Sequence, residues 1–557
     1  MSATPVPLRK RSVGGRYPVL LITSVLLFIT LTRDLLFIAQ GQDFIVRNLT
    51  IDDTYYYLQT AWNQKTFGFT TFDGVNPTNG VQFLWYWMLA GLGLLFSSKY
   101  SFLAGAMVLA SALSATSLLI AGLIARRQGS GFSKIIYLLP IFFLLNDGRL
   151  MMMGLENAIH LPVFLLGVWA FLRFSQSIRT RRRRRDAPGR FIFLTFVWTL
   201  NGMVRMDAGM ISAVVVFAAA VMLLYRRGNS RTRKRRALTI SFLIAAAGAV
   251  IVLIGNKLMG GSYSPVSGMW KQLSDDKQPA LSVFLDAWSR ALPHCIPIGG
   301  FDPEWLVTLL GAIFLPVTAA FALVQHRRHN SAWRSYIRVI VVLSAACLIH
   351  TTLFVLLLGD DTERGVWYQT PLIATTALAI PLFLKCVSFI PPIRRIVEGR
   401  PFLRPILLVG ITSLLAWSVI DSNFDFIREK TTGKANEQAT LFATRVALAR
   451  RLSVSLPPNA RLAAWNAGQM GFFSERQTTN LDGLINSYDF FKYRRAKGSI
   501  TRYLQKQHID YVVDYQIRDA VLATGTIVEK VPIPKKDEDE FLVLKLSPEL
   551  APADSAP

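Results

Sequence analysis

The chain has 557 residues, of which 52% are hydrophobic and only 17% are charged. An ordinary soluble protein carries roughly 25% charged residues, so a soluble fold is excluded. The net charge of +26 lies largely in short connectors between apolar runs, such as 179–185 and 226–236. This is the positive-inside pattern of a membrane protein rather than a nucleic-acid-binding surface. We therefore expect membrane lipid, and no nucleic acid, as a partner.

Apolar runs long enough to cross a hydrocarbon core of about 30 Å recur along the chain. Clear examples are 17–37, 237–254, 339–358 and 406–420. Backbone groups in lipid must pair internally, so these runs are helices. The sequence predicts a mainly α, polytopic membrane protein with about 11–13 transmembrane helices. The number stays open because the short segment 80–96 is either a span or a re-entrant segment.

The basic connectors also predict the orientation. The first apolar run follows basic residues and lacks a cleavage site, so we expect a retained first helix and a cytoplasmic N-terminus. If the connector 394–404 is also cytoplasmic, the C-terminal region lies outside. The expected domains are a transmembrane domain, 1–424, with its first external loop at 42–79, and a small extracytoplasmic α/β domain, 425–557. In that second domain a helical pattern, 435–452, precedes strand-like runs at 460–465, 511–515 and 541–546.

The first external loop contains two adjacent carboxylates, Asp52 and Asp53. Adjacent like charges and the nearby membrane both raise the proton affinity of a carboxylate, which suits it to act as a general base near neutral pH. The alternative is that an aspartate here caps a helix. The aromatic stretch 54–63 that follows has the composition of a helix lying in the membrane interface.

Four further polar residues lie on the same predicted side. Glu156 is expected at the outer end of a span, as a second acid, an acceptor-binding group, a metal ligand or simply a helix start. Arg205 and Asp207 lie between two apolar stretches, where a structural ion pair is an equal alternative to a functional role. Lys271 ends a Gly/Ser-rich loop, 260–271, that is either a phosphate site or a flexible lid.

Arg364 and Tyr368 enter a span after an acidic loop. An arginine at the membrane boundary suits an anionic lipid phosphate, although a helix-end arginine beside an aromatic belt is an equal alternative. Asn79 and Asp482 lie in turn-forming stretches whose side chains either bind sugar hydroxyls or only make the turns. We find no zinc-ligand spacing and no nucleotide-binding loop.

Several of these stretches occur together in a recognisable order. The chain resembles the membrane glycosyltransferases of the GT-C fold, and most closely their bacterial arabinofuranosyl- and mannosyltransferase-like branch. The stretches that carry the resemblance are Asp52-Asp53-Thr54-Tyr55 with Asn63, 76–80 with Leu84-Trp85, 154–157, 205–207, 265–268 with Lys271, Arg364 with Tyr368, and 480–484. The 154–157 and 205–207 stretches differ from relatives in residues that leave the sugar and the acceptor open.

The resemblance implies an inverting glycosyltransferase of the bacterial cytoplasmic membrane that serves cell-wall or envelope biogenesis. A polyprenyl-phosphate sugar would be the donor, and a glycan or glycolipid the acceptor. It implies Asp52 as the base, with Asp53 orienting the acceptor or, with Glu156, holding a divalent metal. The donor phosphate would be held by Lys271, Arg364, Arg205 and Tyr368, and the acceptor or sugar by Glu156, Asn79, Asp207 and Asp482. The alternatives are a glycolipid transporter or flippase and a non-catalytic envelope-assembly protein.

Overall fold

The computed structural model describes most of the chain. The described residues are 17–128, 136–146, 154–179, 185–226, 230–273, 280–295, 304–326, 331–358, 366–388, 437–515, 517–534 and 539–547, with the single positions 410 and 413. The predicted span 406–420, the domain boundary at 424/425 and Arg364 lie outside these residues.

The chain is mainly helical. Up to residue 388 the α-helices of at least four residues are α1 Tyr17–Ile38, α2 Asp52–Phe67, α3 Phe83–Gly93, α4 Lys99–Gln128, α5 Leu139–Asn146, α6 Asn157–Arg179, α7 Ala187–Val204, α8 Gly209–Leu224, α9 Arg231–Gly260, α10 Val266–Trp270, α11 Ala280–Ala291, α12 Glu304–Val324, α13 Ser331–Leu358 and α14 Thr370–Val387. Toward the C-terminus they are α15 Glu437–Ser455, α16 Ala467–Phe473, α17 Tyr488–Arg495, α18 Ile500–Lys506 and α19 Asp519–Leu522.

Within the residues that the structure describes, six helices are long and apolar enough to cross a membrane, which makes the chain a multi-pass membrane protein. They are Val19–Ile38, Lys99–Gln128, Asn157–Arg179, Arg231–Gly260, Ala332–Leu356 and Thr370–Val387. Shorter apolar helices lie at Phe83–Gly93, Gly209–Leu224 and Leu309–Val324. The doubtful segment 80–96 contains only the 11-residue α3, about 16 Å long at 1.5 Å per residue and thus too short to span.

A five-stranded sheet forms the C-terminal region. Its strands are β1 Arg461–Ala464, β2 Gln477–Asn480, β3 Tyr511–Asp514, β4 Gly525–Pro532 and β5 Glu540–Leu546. The order is β2-β1-β3-β5-β4; β2, β1 and β3 are parallel, and β5 is antiparallel to both of its neighbours, β3 and β4. The small C-terminal α/β unit predicted from the sequence is therefore present, and the turns after β1 and β2 lie at one edge of the sheet.

The C-terminal unit shares a hydrophobic core with the helical bundle. One buried cluster joins Tyr55 of α2 and Trp85 of α3 to Phe472 of α16 and Val513 of β3. Tyr55 packs on Phe472 with ring centroids 5.3 Å apart. The expectation that 54–63 lies in the membrane interface is wrong, because most of that stretch is buried in this core.

The two ends of the bundle differ in charge. At one end Arg179, Arg226, Arg334 and Arg338 lie close enough to repel one another. The C-terminal unit packs at the other end, against α2. The positive-inside rule would make the arginine end cytoplasmic, and the orientation of the chain stays a prediction. The basic stretch 226–236 is not a simple connector, since its last six residues form the start of α9.

Candidate functional site

Asp52 and Asp53 open α2 together, but their surroundings differ. Both carboxylate oxygens of Asp52 accept hydrogen bonds from the C-terminal unit: Oδ2 from the Gly468 amide at 2.9 Å and Oδ1 from the Gln469 amide at 2.8 Å. Arg445 of α15 donates to Oδ1 at 3.1 Å. A Cβ at position 468 would collide with the Asp52 carbonyl, so only glycine permits this approach. Asp52 thus caps the start of α16, a helix far away in sequence.

Asp53 is half-buried, and no hydrogen bond reaches its carboxylate from the part of the chain that the structure describes. Burial raises the pKa of Asp53 to about 6; the charge of Lys271 opposes this shift, while Asp52 and Glu156 add to it. A carboxylate that reaches solvent and titrates near neutrality suits proton abstraction. Of the acidic pair, Asp53 rather than Asp52 has a carboxylate available for a substrate.

A largely buried ion network connects Tyr57 of α2 and His350 of α13 to Glu156, which precedes α6, and to the link between α7 and α8. Arg205 donates from Nη1 to Oε1 of Glu156 at 2.5 Å, and from Nε and Nη2 to the two oxygens of Asp207 at 3.1 and 3.2 Å. Tyr57 donates to Oε2 of Glu156 at 2.9 Å, and His350 lies 3.4 Å from Asp207. Burial opposes ionisation of Asp207, but Arg205 and His350 outweigh it and hold its pKa well below its usual range. All three nitrogens of Arg205 are engaged, which favours the structural alternative for the Arg205–Asp207 pair.

The ring of Tyr368 contacts two cations, Lys271 and Arg205. Lys271 places Nζ 2.5 Å from the hydroxyl of Tyr368 and 4.5 Å from the centre of its ring. The guanidinium of Arg205 lies over the same ring, at 4.3 Å. The structure thus brings together three of the four residues predicted to bind the donor phosphate, and the fourth, Arg364, lies outside the described residues.

The C-terminal unit contributes a second carboxylate to the site. Tyr56 of α2 donates to Oδ2 of Asp482 at 2.5 Å, and Asn480 donates to the Tyr56 hydroxyl at 3.2 Å. Burial raises the pKa of Asp482 to about 7; the hydrogen bonds from Tyr56 and the Leu484 amide oppose the shift, and the charge of Asp53 adds to it. Asp482 is therefore within electrostatic reach of Asp53.

Asn79 holds the loop that leads to Lys271. Its Nδ2 donates to the carbonyls of Asn256, Ser262 and Ser264 at 3.2, 2.9 and 3.1 Å, and its Oδ1 accepts from the Val266 amide at 3.0 Å. The side chain is fully buried and fully engaged. The turn-forming alternative therefore describes Asn79 better than sugar binding does.

The residues suggested for a divalent metal do not fit one well. Both oxygens of Glu156 are engaged by Arg205 and Tyr57. Within the described ranges, no group of three histidine, cysteine or acidic residues could hold a metal ion. We therefore derive no step through a metal.

Sequence reasoning missed Arg445, Tyr56, Tyr57 and His350. The two tyrosines belong to the Asp52-Asp53-Thr54-Tyr55-Tyr56-Tyr57 run, and their helical spacing beside the acidic pair was an available signal. Arg445 and His350 carried none, because each lies in an unremarkable helix and meets the site only through the fold.

Fold and site together define a multi-pass membrane protein with a polar site between the end of its helical bundle and a C-terminal α/β unit. Residues 430–544 match a family described as a domain of unknown function, DUF8728. That match covers the C-terminal unit and leaves the membrane helices outside it. No curated protein matches the chain.

Distant similarities to solved structures extend over most of the chain. The oligosaccharyltransferase of Archaeoglobus fulgidus in the apo form is 11% identical, with a TM-score of 0.47, over 91% of this chain and 70% of that one. ArnT from Cupriavidus metallidurans bound to undecaprenyl phosphate is 12% identical, with a TM-score of 0.44, over 95% of this chain and 97% of that one. Similarity at this level assigns no chemistry, and the arabinofuranosyl- and mannosyltransferase-like branch stays a prediction.

Proposed function

We propose that this chain is an inverting glycosyltransferase that moves a sugar from a polyprenyl-phosphate donor to a glycan or glycolipid acceptor on the outer face of the bacterial cytoplasmic membrane. The observation that carries the proposal is the Asp53 carboxylate, which takes no hydrogen bond from the described residues and lies within electrostatic reach of Lys271. The pair supplies a base for the acceptor and a cation for the leaving phosphate.

The proposed reaction is a single displacement. Asp53 takes the proton of an acceptor hydroxyl, and that oxygen attacks the anomeric carbon of the donor sugar. The bond from that carbon to the phosphate oxygen breaks, and polyprenyl phosphate leaves with its negative charge beside Lys271 and Tyr368. Base catalysis contributes roughly 10²–10⁴-fold to such a transfer. The ion network of Glu156, Arg205 and Asp207 keeps the floor of the site in place and touches no reacting atom.

In this proposal the C-terminal unit provides part of the binding site for the acceptor. Asp482 and Tyr56 form a short hydrogen bond, and Asp482 is close enough to Asp53 for the two carboxylates to interact electrostatically. A carboxylate that titrates near pH 7 can accept a hydrogen bond from a sugar hydroxyl when ionised or donate one when protonated. We place the acceptor hydroxyl between Asp53 and Asp482.

Comparison of envelope glycans tests the proposal directly. Mass spectrometry of glycans from cells with and without the chain should show one sugar residue missing in its absence. Complementation with wild type should restore that residue, and complementation with Asp53→Asn should not. Lipid translocation without a new glycosidic bond, measured with a fluorescent lipid in proteoliposomes, would instead support a flippase.

Replacing Lys271 by alanine should weaken the binding of a polyprenyl phosphate. A hydrogen bond to a charged group contributes about 1.5–3 kcal/mol, which corresponds to roughly 10- to 150-fold in the dissociation constant. Native mass spectrometry with undecaprenyl phosphate measures this loss, and undecaprenol tests its dependence on the phosphate. Lys257→Ala is the matched control, since Lys257 lies in the last turn of α9, just before that loop, and donates to the Gly261 carbonyl. Equal losses for both lysines would argue against a phosphate site at Lys271.

The transfer rate should depend on pH through Asp53. Because a base acts only when deprotonated, kcat/KM should rise by about tenfold per pH unit below pH 6 and level off above it. Lys271 lowers the pKa of Asp53, so Lys271→Ala should move the midpoint to higher pH. Initial rates in proteoliposomes check the wild-type pH profile and the change of midpoint in Lys271→Ala. They can be measured once the glycan comparison has identified the sugar. A midpoint that stays in place in Lys271→Ala would contradict the assignment.

A further inference from the structure

Trp270, the last residue of α10, packs on the C-terminal unit. Its ring stacks on that of Phe490 in α17, with centroids 5.4 Å apart and planes 15° from parallel. Phe490 is buried and packs in turn on Tyr503, at 4.5 Å. Gly483 lies against the other part of the indole: it has a φ of +86°, and a Cβ there would collide with the ring. The contact therefore needs both the ring of Phe490 and a residue without a side chain at position 483.

The segment that ends in Trp270 is fixed at its other end by the membrane domain. Asn79 holds the backbone from Asn256 to Val266 through four hydrogen bonds. Trp270 is thus the point at which this segment is attached to the C-terminal unit, and Lys271 follows it directly. Fixing Trp270 therefore fixes the backbone from which the Lys271 side chain reaches Tyr368.

The loop that contacts Trp270, residues 480–484, also contains Asp482, which we assign to the acceptor. Asp482 accepts from Tyr56, and its Oδ1 accepts from the Leu484 amide at 2.7 Å. The next residue, Gly483, donates its amide to Oδ1 of Asn480 at 2.9 Å and supports the indole. One short loop, 480–484, therefore sets the position of a carboxylate near Asp53 and of the tryptophan that precedes the phosphate-side lysine.

We propose that Trp270 is a positioning residue, which transmits the position of loop 480–484 to Lys271 and so lets the C-terminal unit control how tightly the lipid phosphate is held. The inference rests on the proposed function, because it assumes that Lys271 contacts the donor phosphate. Trp270 itself touches neither the phosphate nor the reacting atoms. Its contribution is to keep the Lys271 ammonium in position. A charged group that is already in position binds its partner more tightly.

A double-mutant cycle with undecaprenyl phosphate tests this role. Trp270→Ala should weaken the binding of undecaprenyl phosphate by roughly three- to tenfold, and Trp270→Phe should restore most of it because stacking on Phe490 is retained. Binding of undecaprenol, which has no phosphate, should not change. In a Lys271→Ala background Trp270→Ala should have no further effect, since the group that it positions is gone. A purely structural role would instead lower the binding of both lipids in either background.

A glycine pair provides a second route that leaves the indole in the chain. The methyl group of Gly483→Ala would collide with the ring and also strain the backbone at its φ of +86°. We expect it to weaken undecaprenyl phosphate binding by about as much as Trp270→Ala. Gly268→Ala is the matched control, because a Cβ there meets nothing within 4 Å although it lies in the same helix as Trp270. Gly483→Ala should add little once Trp270 is alanine.

The outcomes separate the inference from the function on which it rests. If Lys271→Ala binds undecaprenyl phosphate as tightly as wild type, the donor role of Lys271 and this inference both fail. If Lys271→Ala binds weakly while Trp270→Ala and Gly483→Ala bind normally, only the positioning role fails. Losses in Trp270→Ala and Gly483→Ala that persist in the Lys271→Ala background overturn it as well.

Discussion

Asp53→Asn should reduce the rate of sugar transfer by roughly 10²–10⁴-fold, the range expected for the loss of a general base. The amide has nearly the same shape as the carboxylate, but it cannot take the acceptor proton. Because no described residue donates a hydrogen bond to Asp53, the substitution breaks no such contact within the described chain. The protein should therefore fold normally and bind undecaprenyl phosphate at least as well as wild type. Transfer rates in proteoliposomes and native mass spectrometry measure the two properties separately.

Asp52→Asn is the matched control, one residue away on the same helix. The substituted side chain could still accept a hydrogen bond from one backbone amide of α16, but it would lose the charge opposite Arg445, whose side chain is 3% exposed. We expect a lower midpoint of thermal unfolding and a transfer rate within about tenfold of wild type, because stability rather than base strength changes. The reverse result, with Asp52→Asn inactive and Asp53→Asn active, would restore the sequence-based choice of Asp52 as the base.

Patterns local in the sequence predicted much of the fold. The first apolar run became α1, and the strand-like runs at 460–465, 511–515 and 541–546 became β1, β3 and β5 within a few residues. These elements have one simple hydrophobic pattern each. Strand β4 was missed because it is an edge strand with mostly exposed residues, including Val528 and Lys530, and shows no buried face. The number of spans could not be fixed, since α3 is apolar like a span but about half as long.

The sequence predicted which residues lie in the candidate site, but not which of them are structural and which are available to a substrate. Sequence placed Asp52 and Asp53 side by side, and nothing local distinguishes them. The difference comes from Arg445 and the α16 amides, which lie 393 to 417 positions further along the chain. The same is true of Arg205: its charge indicated a partner, but only the fold shows that Glu156 and Asp207 together occupy all three of its nitrogens.

Arg205→Met should destabilise the protein by about 3–5 kcal/mol, the usual effect of removing one partner from a buried ion pair. Arg205 is 1% exposed, and its loss would leave the buried Glu156 and the half-buried Asp207 without the guanidinium that pairs with both. Methionine keeps much of the side-chain volume, so the effect reports charge rather than a cavity. The midpoint of thermal unfolding in detergent micelles measures the loss.

Arg290→Met is the matched control, since Arg290 pairs with Asp286 at 2.9 Å but both side chains are nearly half exposed. An exposed pair of this kind contributes at most about 1 kcal/mol, so its midpoint should scarcely move. Adding Glu156→Gln to Arg205→Met should recover part of the stability, because it removes one of the two carboxylates that have lost their partner. If Arg205→Met instead folds as well as Arg290→Met and loses only undecaprenyl phosphate binding, Arg205 binds the donor phosphate as the sequence first indicated, and its carboxylate contacts give way when the lipid enters.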